Sequence, residues 1–302
     1  MPLRITLLAI LVLVLTCTSP GSMQGVNAAE DRLVGGEFFH VVQPGETLTS
    51  IGARFGVAAG VLARENGRQP STRLQTGQEL RVYNRHIVPP GLEDGVLINI
   101  PQRLLFYVAQ GRPVARYPVG LGRPDWPTPT GTFSVLSKEE NPVWDVPKSI
   151  QEEMRRCGQT VKTRVPPGPD NPLGRHWIGL SMAGYGIHGT IAPASIYQFR
   201  SHGCIRLHPD DIADLFGRVS VGTPGRITYT PVLLARPANG QIYLEVHRDV
   251  YRRAGDPLTG VRRAADAESI RHLLDWPRVE EVIRLKDGVA REVSQRPSRA
   301  AD

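Results

Sequence analysis

Glycine and proline break this chain so often, 31 of one and 26 of the other in 302 residues, that long uninterrupted helices cannot be its main building block. Proline removes a backbone donor and fixes φ, while glycine adopts turn conformations that other residues resist, so this density suits short strands joined by fixed turns. The segments between the breaks agree. Residues 96–100, 103–108 and 114–119 are short β-branched or alternating runs separated by turn residues, which predicts a meandering sheet. Further strands are expected over residues 132–136, 226–230 and 241–247, and helices over 149–156, 209–216, 267–274 and 278–285. The fold class expected is therefore mainly β. Residues 166–172, Pro-Pro-Gly-Pro-Asp-Asn-Pro, must be loop, and such an excursion inside a domain predicts a lid or a binding loop.

The first residues bear on compartment. Arg4 precedes an apolar run over residues 5–15, and a polar, small-residue stretch ending Val26-Asn27-Ala28 follows, which is the layout of a secretory signal over residues 1–28. The run is shorter than the roughly 20 residues a membrane-spanning helix needs, so no transmembrane span is expected after cleavage; an uncleaved anchor is the alternative. Cys17 would carry the lipid in a lipoprotein reading, which Thr16 disfavours because such sites usually have Gly, Ala or Ser before the cysteine. Cleavage after Ala28 leaves Cys157 and Cys204, too few for a disulfide scaffold. A formal charge of +7 favours polyanions, whether nucleic acid, anionic lipid or an acidic wall polymer. Basic and acidic residues are interspersed and no basic run stands out, so a solubilising surface is expected and a nucleic-acid partner is not.

Residues 38–84 have a pattern of their own. A strand at residues 39–42 leads through the turn Gln43-Pro44-Gly45-Glu46 to Thr47, placed to cap an amphipathic helix carrying Leu48, Ile51 and Phe55. A second helix over residues 58–65 stops at Asn66-Gly67, and residues 74–82 form a turn and a closing strand, giving βααβ in under 50 residues. With His40-Val41-Val42-Gln43-Pro44-Gly45-Glu46-Thr47-Leu48, Phe55-Gly56-Val57, Glu65-Asn66 and Gly77-Gln78-Glu79-Leu80, this segment resembles the LysM module. The resemblance implies binding to N-acetylglucosamine-containing glycan strands such as peptidoglycan, with Gly45, Thr47, Leu48 and Asn66 as candidate contacts. Each also has a structural reading, as turn, cap, core or helix stop. Residues 86–94, broken by Pro89-Pro90-Gly91, read as a linker.

The residues that could carry chemistry lie in Tyr185-Gly186-Ile187-His188-Gly189-Thr190 and Ser201-His202-Gly203-Cys204-Ile205-Arg206-Leu207. A cysteine, two histidines and glycines where backbone must come close are the ingredients of a thiol nucleophile with an imidazole base, which takes the thiol proton and lowers its pKa. The imidazole's other nitrogen then needs an acceptor, and backbone N–H groups near Gly203 and Cys204 could face a developing oxyanion. Two alternatives stand beside this: Cys204 as a small core residue, and a zinc site from His188, His202, Cys204 and His208, whose spacing fits the usual ligand patterns poorly.

These segments closely resemble the YkuD-type L,D-transpeptidases. Gly120-Leu121-Gly122, Pro127-Thr128-Pro129-Thr130-Gly131 and Pro167-Gly168-Pro169-Asp170-Asn171-Pro172-Leu173-Gly174 extend the likeness, in the branch that pairs an N-terminal LysM with the catalytic domain. The resemblance implies a β-rich catalytic domain, a mixed-sheet sandwich over residues 95–232, between a LysM domain at 38–84 and a short α/β extension at 233–302. It implies Cys204 as nucleophile, His188 as base oriented by the Gly189 carbonyl, and Ser201, His202 and Gly203 shaping the oxyanion site. Arg206, Tyr185 and Thr190 are the expected substrate contacts. Ile191, Ser195 and Tyr197 depart from the family pattern, which puts pocket width and acceptor preference in doubt.

The implied reaction is acyl transfer from a peptidoglycan tetrapeptide stem, with loss of D-alanine and no metal or organic cofactor. The acceptor is a neighbouring stem, an outer-membrane lipoprotein lysine or, in a carboxypeptidase, water; a non-catalytic wall-binding protein is the competing class. The implied place is the periplasm, at the wall. Cys157 reads as a partly buried helix residue, with a reversible disulfide to Cys204 under a lid as the alternative. No chemistry is legible in residues 233–302, and the chain is expected to fray from Arg291 onward.

Overall fold

The computed structural model describes residues 32–295, so the expected signal at 1–28 and Cys17 lie outside the described residues. In the N-terminal unit, β1 (Leu33–Val34) leads into β2 (Glu37–Val41), α1 (Leu48–Phe55), α2 (Ala59–Glu65), β3 (Glu79–Tyr83) and β4 (His86–Ile87). β2 pairs antiparallel with β3. The α1 boundary is where the local chemistry predicts it. Thr47 accepts from the Ser50 N–H at 3.1 Å while Ser50 Oγ accepts from the Thr47 N–H at 2.9 Å, and Gly56 at φ 72° ends the helix. Leu48 and Ile51 are thereby turned onto Val61, Leu62, Leu80 and Val82 in one buried cluster.

Residues 86–94 are not simply a linker. β4 pairs with β1, and His86 is fully buried, its ring bonded to Glu245 Oε1 at 2.8 Å and to the Gly56 carbonyl at 3.0 Å. Glu245 lies 159 residues away, so no local pattern could reveal the contact.

The central unit comprises β5 (Gly95–Asn99), β6 (Leu104–Ala109), β7 (Arg112–Gly122), β8 (Gly131–Glu140), β9 (Trp144–Asp145), α3 (Lys148–Arg156), β10 (Arg164–Val165), β11 (His176–Leu180), β12 (Gly186–His188), β13 (Phe199–Ser201), β14 (Ile205–Leu207), α4 (Pro209–Arg218) and β15 (Pro224–Thr228). The sheet order is β13-β7-β14-β12-β11-β8-β15-β5-β6, and a further β6–β7 pairing curls the sheet back on itself. The expected β-rich, mixed-sheet catalytic domain is present, its sheet closed on itself. β12–β14 and β15–β5 pair in parallel, and the chain crosses between them with α4, whose Ile212 and Leu215 pack on the sheet core. Val96, Ile98, Val119, Leu121, Ile178, Ile187 and Ile205 fill that core at alternate positions along their strands, so the residues between them face outward.

The C-terminal unit is an antiparallel sheet of β16 (Val232–Ala235), β17 (Tyr243–Val246) and, last in the chain, β18 (Arg291–Glu292), covered by α5 (Pro257–Ala267) and α6 (Trp276–Leu285). The helix expected at 267–274 lies earlier. Asp256 accepts from the Thr259 N–H at 2.8 Å and Pro257 opens the helix, while Ser269 at φ 55° turns the chain after it. Of the tail expected to fray, residues 291–295 are held: the Arg291 guanidinium joins Glu65 at 2.5 Å to Asp287 at 2.8 Å, tying the C-terminal unit to α2, while residues 296–302 lie outside the described residues. Among the described residues no helix is long and apolar enough to cross a membrane.

Candidate functional site

The register of β12 and β14 builds the site. Ile187 lies opposite Ile205 with both side chains in the core, so the alternation turns His188, Arg206 and, one step before β14, Cys204 to the other face. There they line a cavity of about 1280 Å³ together with Tyr185, Ser201 and His202. β11 adds Trp177, which is paired with His188 in register and stacked on its ring with centroids 5.8 Å apart.

His188 is 4% exposed, and its Nδ1 sits 2.7 Å from the Gly189 carbonyl. A carbonyl only accepts, so Nδ1 carries the hydrogen and Nε2 is left with its lone pair. Burial, reinforced by the Arg206 charge, pushes the His188 pKa down to about 4, against the pull of the Gly189 and Leu173 carbonyls. The ring is therefore a neutral acceptor at physiological pH. Burial also pushes the Cys204 thiol up, with the Gly186 N–H and Arg206 opposing. This reverses the expected lowering of the thiol pKa: a desolvated thiol that shares its cavity wall with a neutral imidazole stays protonated until a proton is taken from it.

In a Cys157→Ala background, alkylation of Cys204 by iodoacetamide should accordingly climb with pH, with a midpoint above that of an ordinary thiol. A rate plateau near pH 6, the mark of a preformed thiolate–imidazolium pair, would contradict this electrostatic picture.

The turn carrying Cys204 is held from three sides. Ser201 Oγ donates to the Cys204 carbonyl at 2.5 Å and accepts from the Gly203 N–H at 3.2 Å. Gly203 has φ 103°, and a Cβ there would lie 2.7 Å from Tyr185 Cε1, so only glycine fits both the backbone and the aromatic wall. His202 is clamped between Trp126, at 4.3 Å between rings, and Glu153, at 2.5 Å. Glu153 also receives Arg123 at 2.7 Å, which holds its carboxyl below the ordinary range. It projects from α3, a helix with no buried residue that lines one side of the cavity, so the His202 bond ties this lightly packed helix to the turn before Cys204 and the Arg123 bond ties it to the end of β7.

Not every expected residue converges here. Thr190 is buried, its hydroxyl accepting from the Ala192 N–H at 3.0 Å, and it does not line the cavity. Nor do Ile191, Ser195 or Tyr197. Tyr197 lies beneath the Arg103 guanidinium, 4.0 Å from its ring centre, so these departures sit away from the cavity wall they were expected to shape. His208 caps α4 and does not join His188, His202 and Cys204 on the wall; among the described residues no group of three or more His, Cys, Asp or Glu could hold a metal. Cys157 lines the same cavity as Cys204, but as an exposed free thiol at the α3 terminus, where partial burial was expected; Cys204 is free too. In the N-terminal unit, Gly45 is exposed, Thr47 caps α1, Leu48 is 2% exposed in the core, and Asn66 bridges Leu62 and Arg81.

Sequence reasoning missed Trp126, Trp177, Glu153 and Arg123 as wall and tether residues. It also missed Tyr251 and Arg253, which reach the cavity region from the C-terminal unit. The Pro-rich stretch around Trp126 was the one available signal.

The YkuD family, the L,D-transpeptidase catalytic domain, matches residues 93–227, and the LysM domain matches residues 40–82. Probable L,D-transpeptidase YcfS of Escherichia coli (strain K12) is 34% identical over 266 residues, which is 82% of this chain and 83% of that protein. Probable L,D-transpeptidase ErfK/SrfK of Salmonella typhimurium is 32% identical over 277 residues, 87% and 88% of the two chains. Probable L,D-transpeptidase YbiS of Escherichia coli (strain K12) is 31% identical over 220 residues, 72% of each. The catalytic domain of an E. faecium L,D-transpeptidase, solved by NMR, covers 46% of this chain and 100% of its own at 25% identity, with a TM-score of 0.36.

Proposed function

The chain belongs to the L,D-transpeptidase family and carries a LysM domain, and from that premise we propose that it acylates Cys204 with a peptidoglycan tetrapeptide stem and passes the acyl group to an amine. The observation that carries this reading is the shared cavity face of β12 and β14. It puts the Cys204 thiol, a neutral His188 with a committed Nδ1, and the buried, unpartnered Nε of Arg206 on one wall.

Cys204 Sγ attacks the carbonyl at the L-centre of the third stem residue while His188 Nε2 takes the thiol proton. Backbone N–H groups of the Gly203–Cys204 turn stabilise the tetrahedral oxyanion, and the imidazolium returns the proton to the leaving D-alanine amine. A thioester remains, and an amine resolves it. Arg206, oriented by the strand pairing, meets a stem carboxylate with its planar fork. A cavity of about 1280 Å³ has room for both donor and acceptor peptides. The domain limits follow: a LysM unit at 38–84 on the glycan, a catalytic unit at 95–232 and an extension at 233–302. A tether of this kind raises the local concentration of stem peptides. The signal over 1–28 would deliver the enzyme to the periplasm.

Mass spectrometry of the mature protein incubated with disaccharide-tetrapeptide tests the proposal. Cross-linked dimers are the expected product. Tripeptide, or a thioester adduct without dimers, would assign water or a lipoprotein lysine as acceptor. Absence of both adduct and turnover would overturn the reading in favour of a wall-binding protein.

A further inference from the structure

We infer that the C-terminal unit is a working part of the catalytic site: through Thr128, Tyr251 positions the Gly203–Cys204 peptide whose N–H meets the oxyanion. This rests on Cys204 being the nucleophile.

Tyr251 sits in the loop between β17 and α5. Its hydroxyl donates to the Gly122 carbonyl at 2.5 Å and accepts from the Thr128 N–H at 3.2 Å, closing the loop that runs between those residues. Inside that loop Thr128 is fully buried, and its side-chain oxygen accepts from the Gly122 N–H at 3.0 Å and donates to the Gly203 carbonyl at 2.8 Å. The chain of bonds therefore runs from Tyr251 to the residue before the nucleophile. A peptide unit is planar and trans, so aiming the Gly203 C=O at Thr128 aims the Cys204 N–H the opposite way. No other side-chain donor holds the Gly203 carbonyl among the described residues.

The Tyr251 loop is itself braced. Tyr229 donates to Asp249 at 2.6 Å and accepts from the Tyr251 N–H at 2.8 Å, and the rings of Tyr229 and Tyr251 stack 5.6 Å apart. Burial pushes the Tyr251 phenol up, which keeps it protonated and able to donate. Arg253, two residues on, lies 5.2 Å from the Tyr251 ring centre and lines the cavity, so this loop faces the chemistry. A loop supplied by the C-terminal unit, and fixed by a partly buried phenol, does more here than cap a sheet.

Two reactions of Cys204 separate positioning from mere folding. Acylation by p-nitrophenyl acetate forms a thioester and releases p-nitrophenolate, the thiol proton passing to His188 or solvent, and it proceeds through an oxyanion. Alkylation by iodoacetamide displaces iodide and forms no oxyanion. In the full mature chain with Cys157→Ala as background, Tyr251→Phe should slow acylation about 10- to 100-fold and leave alkylation within about twofold. Thr128→Val should do the same, Thr128→Ser should restore acylation, and the double variant should be no slower than Thr128→Val alone, because both act through one peptide. Unchanged acylation, a parallel fall in both reactions, or multiplying losses in the double variant would each overturn the inference. Neither reagent is a peptide, so failure of the stem-peptide assay would count against the proposed substrate and not against this arrangement.

Discussion

Cys204→Ala should abolish acyl transfer, by about 10⁴-fold or more, while leaving the fold intact. The size follows from what is removed. Cys204 is the sole thiol on the β12–β14 wall, and Cys157, the other free thiol of the cavity, stands on the lid helix away from His188's strand. No side chain can inherit the covalent step. The Cys204 side chain is small and borders the cavity, and the turn is held by Ser201, Thr128 and Tyr185, so losing one sulfur removes little packing. His188→Ala should cost less, about 10²- to 10⁴-fold, because a thiol, unlike a hydroxyl, ionises appreciably by itself at alkaline pH. That loss should shrink as pH rises. Product formation by Cys204→Ala measured by mass spectrometry, at more than a hundredth of the parent rate, would rule out the nucleophile assignment.

The second large effect lies far from the cavity. Glu245→Ala should destabilise the protein by about 3–5 kcal/mol, the usual cost of removing the carboxylate from a buried, hydrogen-bonded carboxylate–histidine cluster. Glu245 is fully buried where the three units meet. It accepts from Ile87 N–H at 2.6 Å, Gln102 Nε2 at 3.0 Å, His86 at 2.8 Å and His247 at 2.7 Å. Burial alone would raise its pKa, and it also pushes His86 down toward the neutral ring; the histidines and the hydrogen bonds that Glu245 accepts still carry the carboxyl down to about 2. Its contribution is therefore complete above about pH 4.5, the ordinary value, and is lost as pH falls through 2. That shift is worth about 3 kcal/mol. Thermal melts should show Glu245→Ala lower by about 10 °C at pH 7 and converging with the parent toward pH 2. An equal melting temperature at pH 7 would mean that the cluster only balances its own desolvation.

The legible and illegible parts of this protein divide by distance along the chain. The α1 boundary was readable because Thr47, Ser50 and Gly56 act on backbone within one or two turns. The Cys204 turn was readable because Ser201 and Gly203 are next to it and their types are demanded by hydrogen bonding and by φ 103°. By contrast α5 was expected ten residues too late, since the periodic apolar residues of 267–274 were weighed above the Asp256-Pro257 start signal. His86 looked like linker because its partners are Glu245 and Gly56, each remote in sequence. Thr190 looked like a substrate contact because it adjoins His188 and Gly189, but the chain turns there and buries it.

The sequence by itself therefore determined the β-rich class and the βααβ unit, and it pointed to the His188 and Cys204 segments with their glycines as the ones that line the cavity. Those are properties of residue type and short spacing, which local backbone preferences and alternation express directly. Only the tertiary structure decided that the Cys204 thiol is pushed up and the His188 imidazole down, that Glu153 ties α3 to His202, and that Tyr251 of the C-terminal unit bonds the loop behind the Cys204 turn. Each of these depends on burial or on a hydrogen bond between residues 49 to 129 positions apart. Desolvation and closure of the sheet create those conditions, and neither exists until the chain has folded.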